Sequence, residues 1–208
     1  MVLLLIRNIS WAYCAMNPVR NYKTIKKVVS RKTFERGLVC VAYVAASIDG
    51  RIAESNKFGA DWTSKEDWNF FQNSLKKFDA VVVGRNTFEV FENRLKRRKT
   101  IVFTSKAGEP KREGSIIFFN PKKSDFKEFI KSQNYRKIAV LGGPKIYNFF
   151  LERGMLDELY VTIEPYVFTA GVPMFSGVKF KKYGFSLKWV KKLNPRGTVL
   201  LKYKKNGN

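Results

Sequence analysis

Residues 138–147, IAVLGGPKIY, decide the fold of this protein. A short apolar run ends in two glycines, and a proline then opens the segment PKIYNFFLERG. Because glycine lets backbone amides approach a ligand closely and proline suits the first position of a helix, the stretch predicts a strand, a tight turn and a helix start. Unpaired N–H groups at a helix start attract anions. The turn is therefore either an anion-binding site or a plain strand-to-helix connection.

The composition indicates a globular protein with a large positive charge. The chain has 208 residues, of which 45% are hydrophobic, and this suits one domain with a substantial core. A net charge of +23 implies anionic partners such as nucleotides or nucleic acid. The absence of histidine excludes imidazole catalysis. The two cysteines, Cys14 and Cys40, lack CxxC spacing, so we expect neither a metal site nor a disulfide framework, and a reducing cytoplasm fits.

The first 37 residues differ from the rest of the chain. They carry eight basic residues and one acid, and their apolar stretch at 2–6 is too short to span a bilayer. We interpret residues 1–37 as a basic N-terminal extension of unknown role, with a transit segment or a nucleic-acid-binding arm as alternatives. Residues 38–208 then form the folded domain.

From residue 38 onward, apolar runs alternate with helical patterns. The runs VCVAYVAAS, DAVVVG, KTIVFTS, SIIFF and KIAVLGG read as buried strands, and residues 64–77 read as a helix. Near the end, GFSLKWVKKL and TVLLKYKK flank NPRG as a hairpin. The pattern predicts an α/β fold with three layers: a mostly parallel sheet of about eight strands, flanking helices, and an antiparallel C-terminal hairpin.

In such sheets, ligands bind beyond the carboxyl ends of the strands. The polar strand ends here are 84–87, 104–106 and 142–143. Arg85 offers a planar fork of donors to a phosphate, or else it makes a surface salt bridge. Asp67 is the candidate catalytic acid, because it lies beside Trp68 and Phe71 at helical spacing. The segment from Ser64 to Asp67 also matches an S-x-x-D capping box, in which Asp67 would only bond a backbone amide. Thr162 is either a hydrogen-bond partner of Asp67 or an ordinary strand threonine.

Six segments in order resemble the dihydrofolate reductase family: VAYVAASIDGRIA, the Trp62-x4-Asp67-x3-Phe71 spacing, VGRNTFE, LKRRKTIVFTS, VLGGPKIYNFF and LYVTIEP. The resemblance runs from about Val39 to the C-terminus and implies the dihydrofolate-reductase-like fold. The riboflavin-biosynthesis pyrimidine reductases share parts of the same pattern. Trp68, where a smaller aliphatic residue is common, and Pro144, where a third glycine is common, depart from it.

The resemblance implies NADPH as the cofactor and a dihydropterin as the substrate. The implied catalytic residues are Asp67, which favours protonation at N5, Trp62, which positions a water, and Thr162. The implied substrate-binding residues are Tyr43, Trp68, Phe71, Phe91, Leu95 and Arg98, where Arg98 would clamp the folate carboxylate and Arg97 is its possible substitute. The implied cofactor-binding residues are Ala45, Ile52, Gly84, Arg85, Asn86, Thr87, Phe103, Thr104, Ser105, Leu141, Gly142, Gly143, Pro144, Lys145, Ile146 and Tyr147. Residues 47–63 would form a mobile loop over the reacting rings.

Three functions follow as hypotheses. The first is a cytoplasmic NADPH-dependent dihydrofolate reductase with a small-molecule substrate, no metal, no membrane association and a possible homodimer. The alternative is a reductase of the ribosylaminopyrimidine phosphate intermediate of riboflavin biosynthesis. The remote alternative is a nucleic-acid-binding protein, which we expect to be wrong because the aromatic residues are not interleaved with Lys and Arg on one exposed face.

Overall fold

The computed structural model describes residues 37–55, 61–177 and 180–207. From Leu38 onward the chain forms one compact unit. The basic extension predicted at residues 1–37 lies, apart from Gly37, outside the described residues. Its boundary and its role therefore stay predictions.

Strands and helices alternate through most of the chain. The described strands are β1 Val39–Ala46, β2 Arg51–Ala53, β3 Ala80–Gly84, β4 Thr100–Phe103, β5 Lys111–Glu113, β6 Ile116–Phe119, β7 Lys137–Val140, β8 Glu158–Ile163, β9 Val172–Pro173, β10 Phe185–Lys192 and β11 Val199–Lys205. The described helices are α1 Lys65–Leu75, α2 Arg85–Leu95, α3 Phe126–Ser132 and α4 Pro144–Glu152.

The predicted mostly parallel sheet with an antiparallel C-terminal hairpin is confirmed. Its nine strands lie in the order β10-β11-β8-β1-β7-β3-β4-β6-β5. The six strands from β8 to β6 in this order are parallel, while β5, β10 and β11 are antiparallel to their neighbours. The ninth strand, β5, escaped sequence reasoning because its three residues are exposed and carry no apolar signal. A separate short pair joins β2 to β9.

Helices cover both faces of the sheet, which gives the three predicted layers. On one face, Leu75 of α1 and Leu95 of α2 pack with Val83 and Val102 of the sheet. On the other face, Phe103 and Phe119 meet aromatic residues of α3 and α4 at ring distances of 5 to 6 Å, namely Phe126, Phe149 and Phe150. Because the central strands are buried on both sides, their sequences are continuous apolar runs.

The edge strand β10 is exposed along all but its first residue. Trp189 and Val190 are 38% and 54% exposed, and lysines stand on both sides of them. Lysine and aromatic residues are therefore interleaved on this strand, so the sequence argument against a nucleic-acid surface does not apply to it. The nucleic-acid and homodimer hypotheses both stay predictions.

Neither a membrane-spanning helix nor a metal-binding cluster is found in the part of the chain that the structure describes. No described helix is both long enough and apolar enough to cross a membrane. Over the same residues, no group of three or more His, Cys, Asp or Glu side chains is placed to hold a metal ion.

Candidate active site

The carboxyl ends of β3, β4 and β7 meet at one edge of the sheet, as the sequence predicts. The Gly84 amide donates to the Gly142 carbonyl at 2.8 Å, which joins the first turn to the diglycine turn. A groove of about 750 Å³ runs along this edge. Twelve of the predicted cofactor-binding residues line it: Ile52, Gly84, Arg85, Asn86, Thr87, Phe103, Thr104, Ser105, Gly143, Pro144, Lys145 and Ile146.

Two helices begin at this groove, and neither start is closed by a side chain. Gly84 is the N-cap of α2 and Gly143 is the N-cap of α4, and no side-chain hydrogen bond caps either helix. Pro144 occupies the first turn of α4, as predicted. The N–H groups of both starts add to the positive charges of Arg85, Lys106 and Lys145 along the groove. The groove therefore suits an extended polyanionic ligand.

Arg85 combines the two roles that its sequence leaves open. It lines the groove, and its Nε also donates to Glu89 Oε1 at 2.7 Å in an exposed ion pair. Thr104 is buried, and its Oγ1 accepts a bond from the Lys106 amide at 3.2 Å, while Ser105 is exposed. A guanidinium and two hydroxyls thus stand at one end of the groove.

A smaller cavity of about 170 Å³ adjoins the groove, and Asp67 is on its wall. Ile52, Ala53, Thr87, Phe91 and Gly143 line both spaces, so ligands in the two would touch. The predicted site residues that line the cavity are Tyr43, Ala45, Ile52, Asp67, Trp68, Phe71, Thr87, Phe91, Leu141, Gly143, Tyr147 and Thr162. The cavity is therefore apolar, with one carboxyl group on its wall.

Asp67 and Thr162 are hydrogen-bonded, which decides the role of the threonine. Thr162 Oγ1 donates to Asp67 Oδ1 at 2.5 Å, and both side chains are buried. Strand alternation turns Thr162 towards the same face as Tyr160, which also lines the cavity. The bond holds one oxygen of the Asp67 carboxyl in a set position.

The capping box forms only in part, and this leaves the Asp67 carboxyl at the cavity. Ser64 Oγ accepts a bond from the Asp67 amide at 3.3 Å, as a capping box requires. In a full capping box the Asp67 carboxyl would also accept from the Ser64 amide. Here that amide donates to Glu164 Oε1 instead, at 2.7 Å. The Asp67 side chain therefore makes no capping bond.

Burial raises the pKa of the Asp67 carboxyl from its ordinary 3.8 to about 6. Removal from water disfavours the charged form most, the Thr162 hydrogen bond acts in the opposite direction, and the negative charge of Glu164 adds to the rise in pKa. An acid in this range holds a proton for part of the time near neutral pH. Perturbed carboxyl groups of this kind are typical of catalytic sites.

Some predicted site residues lie away from the cavity. Trp62 packs edge-on against Phe168, with 4.8 Å between ring centroids, and its buried Nε1 has no hydrogen-bond partner among the described residues. Leu95 of α2 belongs to the hydrophobic core, and Gly142 is the buried residue of the diglycine turn and lines neither space. Residues 56–60 are outside the described part of the chain, so closure of loop 47–63 stays a prediction.

Arg98 contacts the helix that carries Asp67, but it does not line the cavity. Its Nη2 donates to Gln72 Oε1 of α1 at 3.0 Å, and burial lowers the pKa of its guanidinium. Arg97 is exposed. Arg94, which sequence reasoning passed over, stacks its guanidinium on Trp68, 4.6 Å from the ring centroid. Because Trp68 lines the cavity, Arg94 contacts a residue of the cavity wall.

Two further residues of the site escaped sequence reasoning. Tyr160 stacks on Tyr43 with 4.8 Å between ring centroids, and its position two residues before Thr162 was a usable signal. Glu164 is 1% exposed and bonds residues as far as 100 positions away. No local sequence pattern predicts hydrogen bonds over such a sequence separation.

The chain is similar to proteins of one family in sequence and in structure. The sequence model described as "Dihydrofolate reductase" matches residues 40–185. "Uncharacterized protein YwjB" of Bacillus subtilis is 29% identical over 145 residues, which cover 65% of this chain and 81% of that protein. A "Dihydrofolate reductase" of Ureaplasma parvum is 26% identical over 118 residues, which cover 56% of this chain and 69% of that protein.

A solved structure supports the fold assignment. The "Putative riboflavin biosynthesis protein" of Shewanella sp. PV-4 aligns with a TM-score of 0.66 at 17% identity, over 82% of this chain and all of that one. At that identity the likeness concerns the fold alone. Since the sequence model covers more than half of the chain and the site lies at the matching strand ends, this chain belongs to the dihydrofolate reductase family.

Proposed function

We propose that the protein is an NADPH-dependent reductase that converts 7,8-dihydrofolate to tetrahydrofolate. The observation that carries the proposal is the buried pair of Asp67 and Thr162. This pair supplies one carboxyl group of raised pKa on the wall of an apolar cavity. The cavity opens onto a groove lined by two helix starts and three cationic side chains.

The groove residues fit a dinucleotide phosphate. The unclosed starts of α2 and α4 offer backbone N–H groups to the pyrophosphate, and Lys145 adds a charge. Arg85, Thr104 and Ser105 are the donors for the extra phosphate that distinguishes NADPH from NADH. A Cβ built on Gly143 would meet only the Thr87 hydroxyl, at 3.8 Å, so the backbone is open to the ligand there. When bound, NADPH supplies the hydride that C6 of the pterin receives.

Asp67 has two tasks in this proposal. In its charged form the carboxyl accepts hydrogen bonds from the amino group and ring N–H of the pterin, which orients the ring. In its protonated form it favours delivery of a proton to N5 while C6 gains the hydride. Thr162 keeps the carboxyl in place for both tasks. The aromatic walls around it exclude water, which keeps the carboxyl pKa high.

A second candidate function is reduction of the ribosylaminopyrimidine phosphate intermediate of riboflavin biosynthesis. Two observations favour it. Arg98, the expected folate clamp, already donates to Gln72. The structural neighbour from Shewanella sp. PV-4 bears a riboflavin-biosynthesis title, which supports this candidate at least as well as the dihydrofolate hypothesis.

The test is the loss of NADPH absorbance with each of the two substrates, at equal concentration and matched pH. We expect rapid oxidation of NADPH with dihydrofolate and little with the pyrimidine. The reverse pattern would establish the second candidate. No oxidation with either substrate, by protein that binds NADPH, would contradict both.

Replacement of Arg98 with Leu tests the substrate end of the site. If Arg98 turns from Gln72 to the folate carboxylate, its loss removes a charge-assisted hydrogen bond, and folate affinity should fall roughly 10- to 100-fold with NADPH affinity unchanged. Titration calorimetry with each ligand measures both. Arg97→Leu is the parallel variant, because Arg97 is exposed and is the possible substitute: a fall in folate affinity there, with none in Arg98→Leu, would identify Arg97 as the clamp. Equal losses for both ligands in the Arg98 variant would show that Arg98 is structural.

A further inference from the structure

Glu164 is a buried carboxylate at the end of β8. It is 1% exposed, and its own amide donates to the Ala46 carbonyl at 2.9 Å. Oε1 accepts from the Ser64 amide and Oε2 accepts from Thr198 Oγ1, each at 2.7 Å. None of the ion pairs in the described residues includes Glu164. The Glu164 carboxylate is therefore stabilised by hydrogen bonds from neutral donors, and no ion pair in the described residues neutralises its charge.

The bond to Ser64 is the one that a capping box assigns to Asp67. In an S-x-x-D box, the fourth side chain accepts from the amide of the first residue. Here Glu164 accepts it, from 100 residues further along the chain. The Asp67 carboxyl instead accepts from Thr162 and lines the cavity. Glu164 thus accepts from the Ser64 amide, the group that a capping box would pair with Asp67.

We propose that Glu164 is a positioning residue for Asp67, because it takes the capping bond that would otherwise turn the Asp67 carboxyl away from the cavity. Its negative charge also favours the protonated form of Asp67. The inference rests on the proposed reductase function in naming Asp67 as the catalytic acid. It adds a residue that lines neither the cavity nor the groove.

The surroundings of Glu164 fit a fixed support. Thr198 Oγ1 also accepts from Asn194 Nδ2 at 3.0 Å, and the same nitrogen lies 3.1 Å from Glu66 Oε2 at the start of α1. The turn between β10 and β11 is thereby tied to the first turn of the Asp67 helix. A support held from the strand end and from the hairpin turn cannot move without moving α1.

Electrostatics supports the same assignment. The charge of Glu164 raises the Asp67 pKa, in addition to the larger effect of burial. The other titratable groups around Asp67 are exposed neighbours on α1 or phenols across the cavity: Lys65, Glu66, Tyr43, Tyr147 and Tyr160. Glu164 is the only group whose charge acts on the Asp67 pKa in the described structure.

Glu164→Gln tests the charge, because the amide keeps an acceptor for Ser64 and gains a donor for Thr198. We expect the Asp67 carboxyl to titrate lower by roughly one pH unit, as followed by carbon NMR with the resonance identified by its loss in Asp67→Asn. Glu158→Gln is the matched control, since Glu158 is on the same strand but pairs with Lys202. It should leave the Asp67 titration unchanged. An unchanged titration in Glu164→Gln would overturn the charge effect.

The capping claim has its own test, which needs neither turnover nor a folded Glu164 variant. In Asp67→Ala, which removes the carboxyl acceptor altogether, exchange of the Ser64 amide hydrogen should stay as slow as in the wild-type protein, because its acceptor is Glu164. Faster exchange by tenfold or more would show that Asp67 caps the helix, and the proposal would fall. Both NMR readouts stand even if the protein reduces neither substrate, so failure of the reductase function is seen separately in the NADPH assay.

Discussion

Asp67→Asn is expected to lower turnover of dihydrofolate by about 10²- to 10⁴-fold, the usual contribution of a positioned general acid. Asparagine has nearly the shape of aspartate and can still accept the Thr162 bond, but it has no proton to give at N5. NADPH affinity should be unchanged, because Asp67 does not line the cofactor groove. Stopped-flow hydride transfer and NADPH titration measure the two quantities on the same protein.

The pH dependence of turnover gives this prediction a second readout. With the Asp67 pKa at about 6, kcat/KM should fall about tenfold for each pH unit above that value, as the proton is lost. The Asn variant should show no such slope. A pH profile that is flat in both proteins would argue that Asp67 is not the acid.

Stability should change in the direction opposite to activity. The folded carboxyl binds its proton more tightly than the unfolded one, so the folded state loses stability as pH rises from 3.8 through about 6. Asparagine avoids that cost, and Asp67→Asn should be more stable at pH 7 by at most about 3 kcal/mol. A large fall in Tm at pH 7 would instead indicate a structural role.

Gly142→Ala is expected to be the most destabilising change in the diglycine turn. Gly142 has φ of +92°, where a side chain costs roughly 1–3 kcal/mol. A Cβ there would also lie 2.8 Å from two ring carbons and the hydroxyl oxygen of Tyr147. Tyr147 is 2% exposed, and its hydroxyl donates to the Tyr43 carbonyl at 2.6 Å, so a shift of the ring would break that bond. We expect a loss of about 3 kcal/mol or more, together with weaker NADPH binding.

Gly50→Ala separates backbone strain from the clash. Gly50 has φ of +77°, but a Cβ there would meet nothing within 4 Å. It should cost only the strain, about 1 kcal/mol. Urea unfolding of both variants measures the difference. If the two Ala variants lose the same free energy of unfolding, the clash between a Cβ at position 142 and Tyr147 adds no measurable destabilisation.

Local patterns in the sequence were enough to predict the layers of the fold and the place of the site. Continuous apolar runs identified the strands buried on both faces, and the Gly-Gly-Pro order identified the turn and the start of α4. Parallel strands bring their carboxyl ends to one edge, so the strand-end residues of the groove could be named from the sequence pattern, while Ile52, Lys145 and Ile146 were implied by the family resemblance. Such features depend on neighbours within a few residues, and these are visible in a linear sequence.

Only the tertiary structure shows that the capping box at Asp67 is incomplete. The same four residues, Ser64 to Asp67, are compatible with a full capping box or with a catalytic carboxyl, and the sequence left the two alternatives open. Glu164 accepts from the Ser64 amide, which excludes the full capping box, and Thr162 donates to the Asp67 carboxyl. Hydrogen-bond partners are chosen by competition among all the groups within reach. When a competitor comes from 100 residues away, only the folded chain brings it within reach.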